Sequence, residues 1–336
     1  IKLSMKNILV TGGAGYVGSG LLRDLLAQGY SVTCVDNLMF GGESLLDIWH
    51  NKNFTFINCD INKSEKLDTI FSKNNFDAVI HLAAIVGDPA CKLYSDLANK
   101  TNWISSKWLI EKSKSAGVSK FIFASTCSNY GKMDNPEAYV DENSRLAPVS
   151  LYAELKVKFE KYMLNEMKKI DGFSPTSLRF STVYGLSPRM RFDLTVNEFT
   201  KNLALGKELL IFGEQFWRPY CHVKDFSNAF ITVLKSPNEK VAYNVFNVGD
   251  TRENYTKQML VNEIKKVLPN SKIKYVAKNE DARDYRVNCD KIKKELGFKI
   301  SMTVPDGIRE IKRVIQENLI QDPEDQKYYN IPHEQK

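Results

Sequence analysis

Residues 7 to 125 alternate short runs of β-branched and aromatic residues with longer stretches of helical period. The runs are Ile8-Leu9-Val10, Ser31 to Val35, Phe54-Thr55-Phe56-Ile57, Ala78-Val79-Ile80 and Phe121-Ile122-Phe123. Strands without polar alternation are buried on both faces, which predicts a parallel sheet with helices on either side. Leu97 to Ala116 places Leu97, Ile104 and Trp108 on one stripe and ends at Gly117, so it reads as a helix. A second helix is predicted over 150–169, after Pro148, with Ser150 as its N-cap and Leu155, Phe159, Tyr162 and Met163 along it. A sixth strand, Thr176 to Phe180, follows the Asp171-Gly172 turn.

Beyond Gly185 short strands and helices no longer keep a strict order, although Val223 to Leu234 and Tyr243 to Val248 return to the sheet. The expected architecture is a doubly wound α/β domain of residues 1–184 plus 217–249 and a smaller, discontinuous lobe of residues 185–216 plus 250–320. At roughly 150 residues per domain, the chain is long enough for both. The stretch 321–336 is polar, carries Pro323 and Pro332, and reads as a surface strap or loose end.

Lys plus Arg total 47 and Asp plus Glu 40, a net charge of +7 spread along the chain. That suits an anionic small molecule and argues against a nucleic acid, which needs a concentrated basic face. The six cysteines are scattered with no CxxC pair, which predicts a reduced protein without a structural metal. No stretch approaches the roughly 20 apolar residues of a membrane helix, and Ile1 to Lys6 lacks the apolar core of an export signal. A cytoplasmic protein with no membrane partner is the expectation.

Gly12, Gly15 and Gly18, with Tyr16 and Val17 between them, stand between the first strand and a helix. Such glycines let the backbone turn, let a pyrophosphate approach the helix N-terminus, and let helix pack on strand. Asp36 ends the second strand about 20 residues on, where a carboxylate accepts both ribose hydroxyls of a dinucleotide. No Arg follows it in Asn37-Leu38-Met39-Phe40, so NAD is expected over NADP. Asp60-Ile61 ends the third strand, where Asp60 either meets the adenine amino group or caps a helix. Leu82, Ala83 and Ala84 follow His81 at the end of the fourth strand, and their small size admits the nicotinamide half.

Tyr152 and Lys156 are four apart on a predicted helix and project from one face. An ammonium beside a phenol favours the phenolate and pulls its pKa from about 10 toward neutrality, which makes an acid-base group. The run Ala124-Ser125-Thr126-Cys127-Ser128-Asn129-Tyr130-Gly131 leaves the fifth strand at its carboxyl end, where parallel sheets place their sites.

In this order, these motifs and Arg179-Phe180-Ser181-Thr182-Val183-Tyr184-Gly185 resemble the extended short-chain dehydrogenase/reductase family, specifically its NAD-dependent nucleotide-sugar epimerases and dehydratases. The resemblance runs from Asn7 to about Leu319 and implies a Rossmann-like fold. It makes Tyr152 the acid-base group at a sugar hydroxyl, Lys156 its partner and a ribose ligand, and Thr126 a hydroxyl hydrogen-bonded to the same sugar oxygen. Asn102, counted with the cofactor residues, matches a helix asparagine that organises the site. The family's dehydratases carry Asp and Glu after the hydroxyl residue, where this chain has Cys127 and Ser128. Thr182 stands where an Asn commonly touches the substrate diphosphate, which leaves that contact to Asn197, Arg218 and Arg283, with Arg191 and Arg189 less secure.

The implied substrate is a nucleoside-diphosphate sugar oxidised at C4, and a 4-epimerase is favoured. A C4 dehydrogenase releasing the ketone is the alternative; the loop 87–92 and the segment 187–197 also resemble bacterial enzymes acting on nucleotide-activated heptoses. A non-catalytic dinucleotide sensor stands further off. Apolar faces at Trp103, Trp108, Phe159 and Met163 predict a homodimer built on a four-helix bundle.

Overall fold

The structure, a computed structural model, describes residues 6–135, 138–277 and 283–331. Six strands come first: β1 (Asn7–Thr11), β2 (Ser31–Asp36), β3 (Phe54–Asn58), β4 (Ala78–His81), β5 (Lys120–Thr126) and β6 (Ser174–Phe180). The next are β7 (Thr182–Tyr184), β8 (Leu209–Phe212), β9 (Trp217–His222), β10 (Asn244–Val248), β11 (Asn254–Thr256) and β12 (Ile273–Val276). Seven of them form one parallel sheet in the order β10-β6-β5-β4-β1-β2-β3. The order reverses between β1 and β4, and the crevice at their carboxyl ends is where a doubly wound sheet binds its ligand.

Successive strand residues point to opposite faces, which is why the central runs at β1, β4 and β5 are apolar at every position named. Ile8 and Val10 join a core with α1 (Tyr16–Ala27) on one face, while Leu9, Phe121 and Phe123 join a core with α2 (Ser64–Lys73) on the other. The predicted helix over 97–116 is a continuous but uneven rod, preceded by α3 (Asp88–Leu93): α4 (Ser95–Asn99), a π-helical stretch Lys100–Ser105, and α5 (Ser106–Ser115). The helix over 150–169 is α6 (Leu151–Lys161), continued by a π-helical turn to Glu166. Its N-cap is Ser150, whose Oγ accepts from the Ala153 amide at 3.3 Å.

Phe159 and Met163 are fully buried beneath β5, Phe159 edge-on to Phe123 at 4.6 Å, so they do not form the outer apolar face expected of them. The outer surface carries exposed Ile104 and half-buried Trp103, Trp108 and Tyr162, with the Lys158 ammonium 4.3 Å from the Trp103 ring.

The lobe contains α7 (Thr195–Ala204), α10 (Lys257–Val267) and α12 (Val304–Gln316), whose apolar residues Leu203, Ile264 and Ile308 share one core with Tyr220. The intervening α8 (Val223–Lys235) and α9 (Asn238–Val241), with α11 (Asp290–Leu296), return to the large sheet. β7 and β9 do not pair with the large sheet: they join β11 in the order β11-β9-β7, while β12 pairs with β8.

The polar tail is a strap, not a loose end. The Phe192 amide donates to the Tyr328 carbonyl at 2.9 Å, Lys201 Nζ donates to the Tyr329 hydroxyl at 2.9 Å, and Tyr329 and Ile331 are buried. Residues 332–336 of the predicted tail, Pro332 among them, lie outside the described residues, as do Asp281 and Ala282. Among the described residues no helix is long and apolar enough to cross a membrane.

Candidate active site

A cleft of about 660 Å³ opens at the carboxyl ends of β1, β4 and β5 and extends beneath the lobe. Gly12 begins its floor with φ +75°, and a Cβ there would lie 2.7 Å from the Ala83 amide nitrogen. A Cβ on Gly18 would meet the Gly12 carbonyl oxygen at 2.4 Å. Both contacts are backbone, so the glycines keep loop, strand end and helix in close approach. Gly15, Val17, Leu82 and Ala84 line the same wall. Tyr16 lines it too, but its buried hydroxyl donates to the Gly185 carbonyl at 2.5 Å and so ties the loop to the lobe.

Asp36 stands where the second strand ends, its carboxylate accepting from the Ala14 amide at 3.0 Å and the Leu38 amide at 2.8 Å. Burial pushes its pKa up and these amides pull it down. Asn37, Asp60 and Ile61 border the cleft beside it. Asp60 accepts from the Asn62 amide at 2.8 Å in a tight turn, and the N-cap of α2 is Lys63, so Asp60 does not cap that helix. Asn102 does not line the cleft. Its Oδ1 accepts from the Ile85 amide at 2.8 Å and its Nδ2 donates to the Ile85 carbonyl at 2.9 Å, so it positions the turn after β4.

At the other end α6 presents Tyr152 and Lys156 toward the end of β5. Lys156 Nζ donates to the Ala124 carbonyl at 2.7 Å and lies 5.8 Å from the centre of the Tyr152 ring. Burial lowers the lysine to about 8. The phenol does not follow the sequence expectation: burial raises it above its ordinary 10, and the nearby Cys91 and Asp88 charges push the same way. Desolvation of both groups outweighs an ammonium that is aimed at a carbonyl. Thr126, in the same wall, accepts from the Ser128 amide at 3.1 Å. Cys127 is buried, its thiol pushed up by burial and donating to the Arg179 carbonyl at 3.2 Å, so it stays protonated behind the wall.

Lys156 sets a pH-dependent stability whose sign is determined. Its folded pKa lies below the ordinary lysine value of 10.5, so between pH 8 and 10.5 the unfolded chain binds the extra proton and stability rises with pH. Buried thiols act oppositely above their ordinary 9, so the readout is a difference. Without added NAD, wild type should gain on Lys156→Met between pH 8 and pH 10, by at most about 1.4 kcal/mol per pH unit. Urea melts of the two proteins check this, and parallel curves would refute it.

The structure distributes the diphosphate candidates unevenly. Thr182, Arg191, Arg218 and Arg283 line the cleft. Asn197 does not: it is fully buried, its Oδ1 accepting from the Gly185 amide at 2.9 Å and its Nδ2 donating to the Arg191 carbonyl at 2.9 Å. Its amide is consumed in shaping the loop after β7. The Arg191 guanidinium makes two 2.9 Å hydrogen bonds to Asp193, Arg218 lies over the Tyr285 ring, and Arg283 donates to Asp88 at 2.8 Å. A motif shows which arginines reach the cleft, but only the fold shows which carboxylates meet them.

Arg189 is the more open anion site. It is 7% exposed, stacks on Phe40 at 4.5 Å and donates one nitrogen to Asn330 Oδ1 at 2.7 Å, while Nε and Nη2 have no protein partner. Burial lowers its pKa to about 10. A buried cation with orphaned donors, beside the glycine loop and the Asp36 loop, fits the diphosphate of a dinucleotide. The signal legible in the sequence was the arginine pair after Ser187; Asn330, which lines the cleft from the tail, left none.

A glycine loop and a buried arginine with orphaned donors at one end of a cleft, and a tyrosine–lysine pair at the other, fit a dinucleotide-dependent enzyme of the Rossmann-like class. The chain belongs to the NAD dependent epimerase/dehydratase family, whose model matches residues 8–249, and NAD is its cofactor. It is 30% identical to a UDP-glucose 4-epimerase of Halalkalibacterium halodurans over 75% of this chain and 78% of that one. It is 29% identical to a UDP-glucuronate 4-epimerase of Thermodesulfobacterium geofontis over 93% and 96%. A solved structure of UDP-glucose 4-epimerase from Thermotoga maritima, with UDP-glucose, superposes with a TM-score of 0.81 at 30% identity, covering 93% of this chain and 99% of that one.

Proposed function

We propose that the protein is an NAD-dependent UDP-sugar 4-epimerase that oxidises its substrate at C4 and reduces it again on the other face. The observation that carries this reading is the pairing of Tyr152, Lys156 and Thr126 in one cleft wall with a buried thiol and a serine where an eliminating Asp and Glu would stand. NAD, when bound, supplies the acceptor and later donor of the C4 hydride and, when oxidised, a positive charge beside the phenol. Tyr152 takes the proton of the C4 hydroxyl and returns it. Thr126 holds that oxygen, and Lys156, the cation nearest the ring in the wall, stabilises the phenolate. Arg218 and Arg283 bind the diphosphate of the substrate, Arg189 that of the cofactor. Asp36 accepts the ribose hydroxyls and selects NAD over NADP.

Residues 185–216 and 250–320, without α11 and together with β7 and β9, act as the substrate lobe, and the strap at Asn330 and Ile331 helps keep the ketone inside. Six free, buried cysteines suit a reducing cytoplasm. The face bearing Ile104, Trp103 and Tyr162 pairs with a second copy of the chain. The test is to supply UDP-glucose with NAD and follow the NADH absorbance band while NMR resolves products. UDP-galactose with no net NADH is expected. Accumulating NADH with a 4-keto sugar would make the protein a dehydrogenase, and a 4-keto-6-deoxy product a dehydratase.

A further inference from the structure

The sugar end of the cleft, where α3 and the N-terminus of α6 approach the segment at Arg283, carries a carboxylate that the proposed reaction does not use. Asp88 Oδ1 accepts from Ser150 Oγ at 2.6 Å, and Oδ2 accepts from the Arg283 guanidinium at 2.8 Å. Ser150 caps α6 two residues before Tyr152, so Asp88 is fixed beside the reacting wall. Its side chain is 27% exposed and borders the cleft, and its charge reaches the Tyr152 phenol, which it helps to raise.

Three of the cleft's cations are already engaged by protein groups, while Arg189, with two unpartnered nitrogens, is the one proposed above for the cofactor. Arg191 is held in a two-pronged pair by Asp193, Arg283 is shared with Asp88, and Lys156 is turned to the Ala124 carbonyl. A nucleoside diphosphate brings two negative charges that draw on the arginines. A third, on the sugar, would arrive beside Asp88.

We infer that Asp88 sets the sugar specificity of this site: the cleft accepts a nucleoside diphosphate joined to an uncharged hexose and rejects one whose C6 is a carboxylate. The inference rests on the 4-epimerase reading. With the C4 oxygen held at Tyr152 and Thr126, C6 is one carbon removed from the neighbouring ring position and lies in the same part of the cleft. A sugar that must present both faces to the same hydride carrier swings its C6 edge and its C2–C3 edge past the Asp88 wall in turn. A neutral hydroxyl donates to that carboxylate, whereas a uronate repels it. For partly exposed charges a few ångströms apart this is worth about ten- to a hundredfold in binding.

The experiment uses the full chain loaded with NAD and compares kcat/KM for UDP-glucose and UDP-glucuronate in wild type, Asp88→Asn and Asp88→Ser. Wild type should favour UDP-glucose by at least about thirtyfold, and both variants should reduce that ratio by about tenfold or more. The ratio is taken within each protein, so a general loss of activity or stability cancels, and two replacements of different shape separate charge from packing. Equal use of the two sugars by wild type, or an unchanged ratio in both variants, would overturn the role of Asp88 while leaving the epimerase reading intact. No turnover of UDP-glucose by wild type would instead remove the reading on which the inference stands.

Discussion

Tyr152→Phe should reduce turnover by about two to four orders of magnitude while NAD remains bound. The ring fills the same space, and the substitution removes only the atom that exchanges the C4 hydroxyl proton. Burial keeps this phenol protonated in the cofactor-free chain, so the lost group is one whose basic form exists only when positive charge is gathered around it. The rate of the residual reaction should then lose the pH dependence that the phenol imposes. NAD affinity, read by calorimetry, should change by less than about threefold, since the proposed cofactor anchors at Gly12, Asp36 and Arg189 line another part of the cleft. Full activity in Tyr152→Phe would assign the proton transfer to another group and dissolve the mechanism.

The sequence shows the large sheet clearly because its strands are buried on both faces and their apolar runs have no rival explanation. The glycine loop is equally legible: backbone contacts at Gly12 and Gly18 exclude every side chain, so the residue type itself reports the geometry. Charged residues behave differently. Arg191, Arg283 and Asn197 look alike as candidate ligands, yet Arg283 meets Asp88 195 residues away and Asn197 meets Gly185 12 residues away through the fold, while Arg191 is held locally by Asp193. The three-residue strands β7 and β11 are too short for a periodic signal, so their pairing with β9 is not legible in the sequence. Phe159 and Met163 belong to a helix that packs on a sheet on one side, so an apolar stripe in sequence says that a face is covered without saying by what. The tail misleads by composition: polar residues such as Glu324 and Asn330 pair with the lobe, while Tyr329 packs beside Phe192 and Ile331 packs against α3, α4 and α6.

The pair that fixes the catalytic helix to the sheet left no signal of its own, and it yields the largest stability effect. Glu160, on α6 one turn beyond Lys156, accepts from the Arg179 guanidinium at 2.5 and 3.1 Å and from Ser177 Oγ at 2.7 Å. The side chains are 5% and 3% exposed. Arg179 extends the network to the Tyr130 hydroxyl at 2.9 Å, which in turn donates to Asn247 on β10 at 2.7 Å. Two adjacent strands, β6 and β10, the turn after β5 and the helix bearing Tyr152 are thereby joined through one desolvated ion pair. Glu160→Ala strands the arginine charge in the interior and should cost about 3–5 kcal/mol, lowering the melting temperature by roughly 10 °C. Glu160→Gln, which keeps an acceptor for the guanidinium, should cost less. The pair's net worth is a separate quantity, because water solvates both ions well in the unfolded chain. Arg179→Met combined with Glu160→Leu should therefore recover most of the stability lost in Glu160→Ala, while still leaving Tyr130 without a donor. Thermal and urea melts of the three variants decide the matter: a Glu160→Ala protein as stable as wild type would mean that the arginine finds water or another carboxylate, and a double variant no better than the single one would mean that the ion pair itself, rather than the burial of an unpaired charge, holds α6 in place.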